Sequence, residues 1–147
     1  MATELITIEA ANPTDIQAIL VLLKKNGLPT EGLAGHIETA IVAREAGRVV
    51  GSAALEVYSH AALLRSVAVE ERLRGHGLGQ RLTQAALDHA QTLGVTDLYL
   101  LTETAGDFFP RFGFRPITRA EVPAGVQQSV EFSFACADTA LVMTKHL

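Results

Sequence analysis

The chain has 147 residues, of which 48% are hydrophobic and 19% charged, with a mean hydropathy of +0.25. That balance rules out disorder for most of the chain and suits one domain burying about 70% of its unfolded-state surface. Its 12 Lys and Arg against 16 Asp and Glu give a formal charge of −4 and a pI near 5.7, which argues against nucleic acid as a partner and requires any anionic ligand to be gripped locally.

The single cysteine, Cys136, excludes an internal disulfide and a cysteine-based zinc site, and suits a reducing, cytoplasmic setting. No basic leader, no apolar run long enough for a bilayer, no repeat and no linker is visible, so the expectation is one domain over 1–147 with no membrane partner.

Leu5, Thr7 and Glu9 alternate with Ile6 and Ile8, which predicts a short strand. Asn12-Pro13-Thr14-Asp15 starts a helix carrying Ile16, Ile19, Leu20 and Leu23, and Gly27-Leu28-Pro29 ends it. Residues 29–39 hold no clear period; a short helix around Leu33 and Ile37 covering a cleft is the expectation. Strands over 40–44, 49–58 and 62–69, separated by the turns Glu45-Ala46-Gly47-Arg48 and Ser59-His60, predict an antiparallel meander. After a loop over 70–77, Leu78, Leu82, Ala85, Ala86, His89 and Leu93 recur at helical spacing until Gly94. A strand over 98–101 follows, and a strand–helix–strand crossover places it parallel to the strand over 62–69. A short helix over 107–112 and strands over 114–117 and 140–144 complete a mixed sheet with helices on both faces.

Arg72-Leu73-Arg74-Gly75-His76-Gly77-Leu78-Gly79-Gln80 is the segment richest in chemistry. It joins a strand to a helix, where outward backbone N–H groups and the helix dipole, about half a positive charge, suit an anion. Four of the basic residues, Arg65, Arg72, Arg74 and Arg81, fall in or near it although the chain is acidic overall. Phosphate is the simplest ligand. A nucleoside-triphosphate loop is disfavoured because Gly79-Gln80-Arg81 stands where Gly-Lys-Ser/Thr is needed, and glycines spaced by twos do not fit the dinucleotide fingerprint.

Arg74-x-x-Gly77-x-Gly79, preceded by Leu64-Arg65-Ser66-Val67-Ala68-Val69, resembles the acetyl-CoA signature of the GNAT N-acetyltransferase superfamily, and Phe108-Phe109-Pro110-Arg111-Phe112-Gly113-Phe114 resembles its second landmark. The resemblance implies an α/β fold with a mixed, mostly antiparallel sheet, a splayed parallel strand pair and helices on both faces. It also implies acetyl-CoA as acetyl donor, with pantetheine along Val67, Ala68 and Val69 and pyrophosphate on Arg74, Gly75, His76, Gly77, Leu78, Gly79 and Gln80. Many members place a Glu base and a Tyr acid at positions matching Leu63 and Phe109, neither of which moves a proton. Glu56 is therefore the expected catalytic residue, acting through water, with Tyr58, His60 and Glu103 as other candidates.

Details around 100–114, together with Val122-Pro123 and Ser129, are similar to the acetyltransferase domain of N-acetylglutamate synthase. The Gly27 to Leu33, Glu56 to Tyr58 and Leu63 to Val69 segments look still more like the short amino-acid acetyltransferases found with arsenic-resistance genes. This implies transfer to the α-amino group of a small amino acid, foremost L-glutamate, by direct attack in a ternary complex. A resistance enzyme for a toxic mimic or antibiotic amine, or a non-catalytic acyl-CoA sensor, are the alternatives. Arg65, an arginine in an apolar strand, is the expected carboxylate-binding residue, with an ion pair to Glu56 as the competing role. Thr102 is the second expected substrate contact, and residues 122–138 are expected to form a lid or a dimer contact. The five His show no metal-ligand spacing, so no metal is expected. A homodimer is expected on family analogy alone.

Overall fold

The computed structural model describes residues 5–132 and 139–147, so Cys136 and the part of the expected lid or dimer contact over 133–138 lie outside the described residues. Among the described residues, β1 (Ile6–Ala10), β2 (Ala40–Glu45), β3 (Arg48–Tyr58), β4 (Ala61–Val69), β5 (Asp97–Thr102), β6 (Arg115–Ile117) and β7 (Leu141–His146) form one sheet in the order β1-β2-β3-β4-β5-β7-β6. β2 to β4 are successively antiparallel, as their short turns predict, and β1 adds antiparallel to β2. Ala46 and Gly47, the two residues between β2 and β3, both have positive φ (51° and 79°), the backbone twist a two-residue hairpin needs. The crossover makes β4 and β5 parallel, but through only Ala61–Asp97, Ala62–Leu98 and Leu63–Tyr99.

Helix α1 (Ile16–Lys25) and the 3-10 turns of Leu33–Thr39 cover one sheet face, burying Ile19, Leu23, Leu33 and Ile37 against Val42, Ala54 and Ala68. Helix α2 (Leu78–Thr92) covers the other, with Leu78, Leu82, Ala86 and Ala90 buried and Gln80, Arg81 and Gln84 exposed. The apolar stripe thus faces Leu64, Leu98 and Leu100, as its period requires. The stretch over 107–112 is a single 3-10 turn, Phe109–Phe112, rather than a fuller helix. A one-turn helix, α3 (Ala124–Gln127), follows β6; four residues are too few to show a period.

β4 carries an irregularity that the strand pattern did not announce. Ser52 pairs with Ala68 and Ala54 with Arg65, so Ala53 faces both Ser66 and Val67, a bulge in which Ser66 takes φ 60°. The extra residue reverses the alternation. Before it Ala62 and Leu64 face α2 and Leu63 faces α3; after it Val67 and Val69 lie against the α2 side and Ala68 faces α1. The Ser52 hydroxyl donates to Ser66 O at 2.7 Å and pins the bulge.

The start of α1 is tied to the sheet by charge. Asp15, 7% exposed, receives both guanidinium arms of Arg44 at 3.0 and 2.6 Å and the Asn12 backbone N–H at 2.7 Å. Hydrogen bonds from Arg44, opposed by burial, hold the Asp15 carboxyl below its usual value. A lowered folded-state value adds stability that is complete above the ordinary carboxylate range and is lost as pH falls through the lowered value. Thermal melts from about pH 7 to about pH 3 should therefore show a larger loss for the native chain than for Asp15→Asn; parallel losses would show that this pair adds nothing.

Candidate active site

Past Leu63 and Tyr99, β4 stays paired with β3 while β5 follows β7, through Leu100–Met143, Leu101–Val142 and Thr102–Leu141. The two strands diverge and a cleft of about 670 Å³ opens between them, lined by Val67, Val69, Leu101, Thr102, Arg74 and Gly79 among others. Strand edges turned toward a cleft offer N–H and C=O groups to an extended ligand. The bulge at Ser66 sits on this wall.

One end of the cleft is the loop into α2. Gly75 and Gly77 have φ 82° and 83°, a conformation that favours glycine, and Gly77 caps the helix. The first-turn N–H groups of Leu78, Gly79 and Gln80 have no carbonyl a turn earlier and point out of the helix end. Leu78 is buried and anchors the turn, while His76 and Gln80 are exposed. Arg74 bridges the loop to the end of α1, donating to Asn26 Oδ1 at 2.5 Å and Val69 O at 3.4 Å. Phe108 closes this end from across the cleft: a Cβ added at Gly79 would lie 3.6 Å from its ring. Arg111 stacks on the same ring at 4.8 Å.

The other end is ionic. Arg65 has no exposed side-chain area; its Nη1 donates to Glu56 Oε2 at 2.8 Å, its Nε donates to Ser66 Oγ at 2.9 Å and lies 3.2 Å from Glu131 Oε2, and its Nη2 donates to Pro29 O at 3.3 Å. Glu56 stands across from Leu63 in the β3–β4 register, so it shares the face of the residue matching the family's usual base. Its other oxygen accepts from the Tyr58 hydroxyl and lies 3.7 Å from His36 Nε2. Burial pushes Glu56 up, but hydrogen bonds from Tyr58, Arg65 and Ser129 outweigh it and hold its carboxyl below the usual range. Burial and the bond to Glu56 push the Tyr58 phenol well above its usual value, so it remains a donor.

The structure therefore brings Val67, Ala68, Val69, Arg74, Gly79, Arg65 and Thr102 to one cleft. Glu56 sits behind Arg65, bonded to it. The Thr102 hydroxyl accepts the Ala105 N–H at 2.8 Å and so also holds the turn after β5. Glu103 lines the cleft and is exposed, whereas His60 is bound to Gly94 O at 3.3 Å, at the turn before β4. Leu63 and Phe109 are buried, the latter edge-on to Phe108 and Phe114. Sequence reasoning placed Glu131 in a lid segment and missed it as the carboxylate that meets both Arg65 and the cleft. Among the described residues no acidic, His or Cys cluster is placed to hold a metal, and no helix is long and apolar enough to cross a membrane.

Comparison with known proteins gives a consistent picture. An uncharacterised N-acetyltransferase of Chlorobaculum tepidum is 30% identical over 128 residues, 84% of this chain and 80% of that protein. The amino-acid acetyltransferase of Neisseria meningitidis is 28% identical over 127 residues, 80% of this chain but only 29% of that protein. The fold is shared with N-acetylglutamate synthase from Neisseria gonorrhoeae, solved with coenzyme A and N-acetyl-glutamate, at a TM-score of 0.83 and 22% identity, over 99% of this chain and 36% of that one. Residues 36–116, which run from the 3-10 turns before β2 into β6 and hold both walls of the cleft, match the acetyltransferase (GNAT) domain family, and this chain is a member of it.

Proposed function

We propose that the protein transfers the acetyl group of acetyl-CoA to the α-amino group of a small amino acid, foremost L-glutamate or a close analogue, within a ternary complex. The observation that carries the reading is the continuity of the cleft: Gly79 in the first turn of α2, two diverging strand edges and a buried arginine lie along one space of about 670 Å³. In this reading the first-turn amides of α2 take the pyrophosphate, the edge of Val67 to Val69 pairs with the pantetheine amides, and the thioester lies near the bulge. Backbone pairing suits a flexible arm because it offsets the entropy lost in ordering it. The relatives' activity on amino acids and the cationic Arg65 support the acceptor assignment.

The amine nitrogen attacks the thioester carbonyl carbon, the C–S bond breaks, and the CoA thiolate takes up a proton as the amine loses one. Glu56 acts here chiefly as a positioning residue that holds Arg65, because a carboxylate kept below its usual range is a weak base. The amine then enters neutral, and water carries its proton away. The pH profile should accordingly follow the substrate: kcat/KM rises with pH until the free amine is neutral. An added acidic limb that disappears in Glu56→Gln would restore Glu56 as the base.

The test is CoA-thiol release from acetyl-CoA against a panel of L-amino acids, with glutamate, aspartate and glutamine, and toxic analogues beside them. Saturable turnover with glutamate supports the proposal. Preference for an analogue favours a resistance enzyme, and acetyl-CoA binding without turnover of any amine leaves a sensor.

A further inference from the structure

We propose that Glu131 is an internal stand-in for the acceptor's carboxylate: it holds the place on Arg65 that an acidic amino acid takes during turnover, and so selects for substrates able to displace it. The inference rests on the amino-acid reading above and deepens it. The two acidic neighbours of Arg65 are both buried, Glu56 at 1% and Glu131 at 4% exposed, but belong to different parts of the fold. Glu56 lies in the middle of β3 and bonds to Tyr58 and Arg65. Glu131 lies off the sheet after α3 and lines the cleft beside Arg65 and Pro29. One partner belongs to the scaffold; the other belongs to the cleft.

Charge permits the exchange. Glu56 is fixed on the buried guanidinium at 2.8 Å. A second carboxylate there, whether that of Glu131 or of the substrate, meets the same like-charge and desolvation cost, so exchanging one for the other leaves the charge of the site unchanged. Hydrogen bonding permits it too, because Ser66 Oγ accepts from the same Nε at 2.9 Å and remains when Glu131 withdraws. The incoming group is chemically the same as the outgoing one. A carboxylate for a carboxylate preserves both charge and bonding at Arg65, whereas an amine lacking a carboxylate gains nothing by displacing Glu131. The place of Glu131 is set by its neighbour: Val130 packs so closely on Gly32 that a Cβ there would come within 2.7 Å of Val130 Cγ1.

An internal competitor reduces apparent affinity to the fraction of molecules in which it is not bound. In steady-state assays of the full chain, Glu131→Gln should therefore lower the KM for glutamate by about threefold to tenfold, with the KM for acetyl-CoA unchanged. Glu131→Asp, which keeps the charge on a shorter arm, should move the KM in the same direction by less, and serves if the glutamine variant melts early. A KM that stays constant in both, or rises because Glu131 receives the substrate's amine, overturns the proposal. Calorimetric titration of glutarate, a dicarboxylate without an amine, reads the same exchange without chemistry. Tighter glutarate binding by Glu131→Gln, with no amino acid turned over by the native chain, would leave the exchange standing and sink the acetylation reading. Turnover with no gain in glutarate affinity or KM would do the opposite.

Discussion

Replacing Arg65 with leucine is expected to destabilise the protein by about 3–5 kcal/mol, because two carboxylates then remain in a buried site without their cation. The guanidinium has no exposed side-chain area, and Glu56 and Glu131 are 1% and 4% exposed. Denaturant unfolding measures the loss directly, and a second measurement separates it from mere loss of packing: adding Glu56→Gln and Glu131→Gln to Arg65→Leu should restore much of the stability, since neutral partners no longer need a cation. A loss below about 1 kcal/mol in the single variant would mean that the cluster is not an ionised, buried network. Function is better read in Arg65→Lys, which keeps the charge but not the planar fork that spans Glu56, Ser66 and Pro29. That variant should lose most of its preference for carboxylate-bearing amines while still binding acetyl-CoA. Undiminished preference for acidic amino acids would move carboxylate recognition to another residue.

The other large effect is expected at the start of α2. Gly77→Val and Gly79→Leu should each raise the KM for acetyl-CoA by about tenfold, equivalent to about 1.4 kcal/mol, with the KM for the amine changing far less. The causes differ. A Cβ at Gly77 meets no atom within 4 Å, but φ 83° is a strained conformation for a branched side chain, so the loop amides lose their aim. A Cβ at Gly79 is tolerated, 3.6 Å from Phe108 and 3.8 Å from Val69, but a longer side chain pushes into the space between them where the cleft narrows. Gly77→Ala should lie between native and Gly77→Val. An unchanged KM for acetyl-CoA in both bulky variants would show that the donor's phosphates bind elsewhere.

Local pattern in this chain was a good guide wherever the interaction that forms an element lies within a few residues. The meander follows from near-continuous apolar runs broken by short turns at Ala46-Gly47 and Ser59-His60, and α2 follows from Leu78, Leu82 and Ala86 on one stripe between Gly77 and Gly94. The left-handed glycines at 75 and 77 stand where the loop bends into α2. Residues 29–39 gave no period because only Leu33–Thr39 is helical, as 3-10 turns whose side chains are selected by the face they cover. The donor end of the cleft was legible for the same reason as the helix: it is built from consecutive residues.

The acceptor end was not, because its parts meet only across the fold. Arg65 announced itself as an unusual residue in an apolar strand, and its pairing with Glu56 was anticipated, but nothing local marks Glu131, which reaches Arg65 from beyond α3. The bulge at Ser66 is equally silent in the sequence, since a serine at φ 60° is unfavourable by itself and persists because Ser52 and the paired strand hold it. The amino-acid sequence by itself determined the strand and helix inventory, the antiparallel meander, the parallel crossover and the glycine-rich loop into α2, all set by short-range periodicity and backbone permissiveness. Only the tertiary structure decided how soon β4 and β5 part, which face each half of β4 presents, and that Arg65 lies between two carboxylates, because these depend on packing and charge balance among residues far apart in the chain.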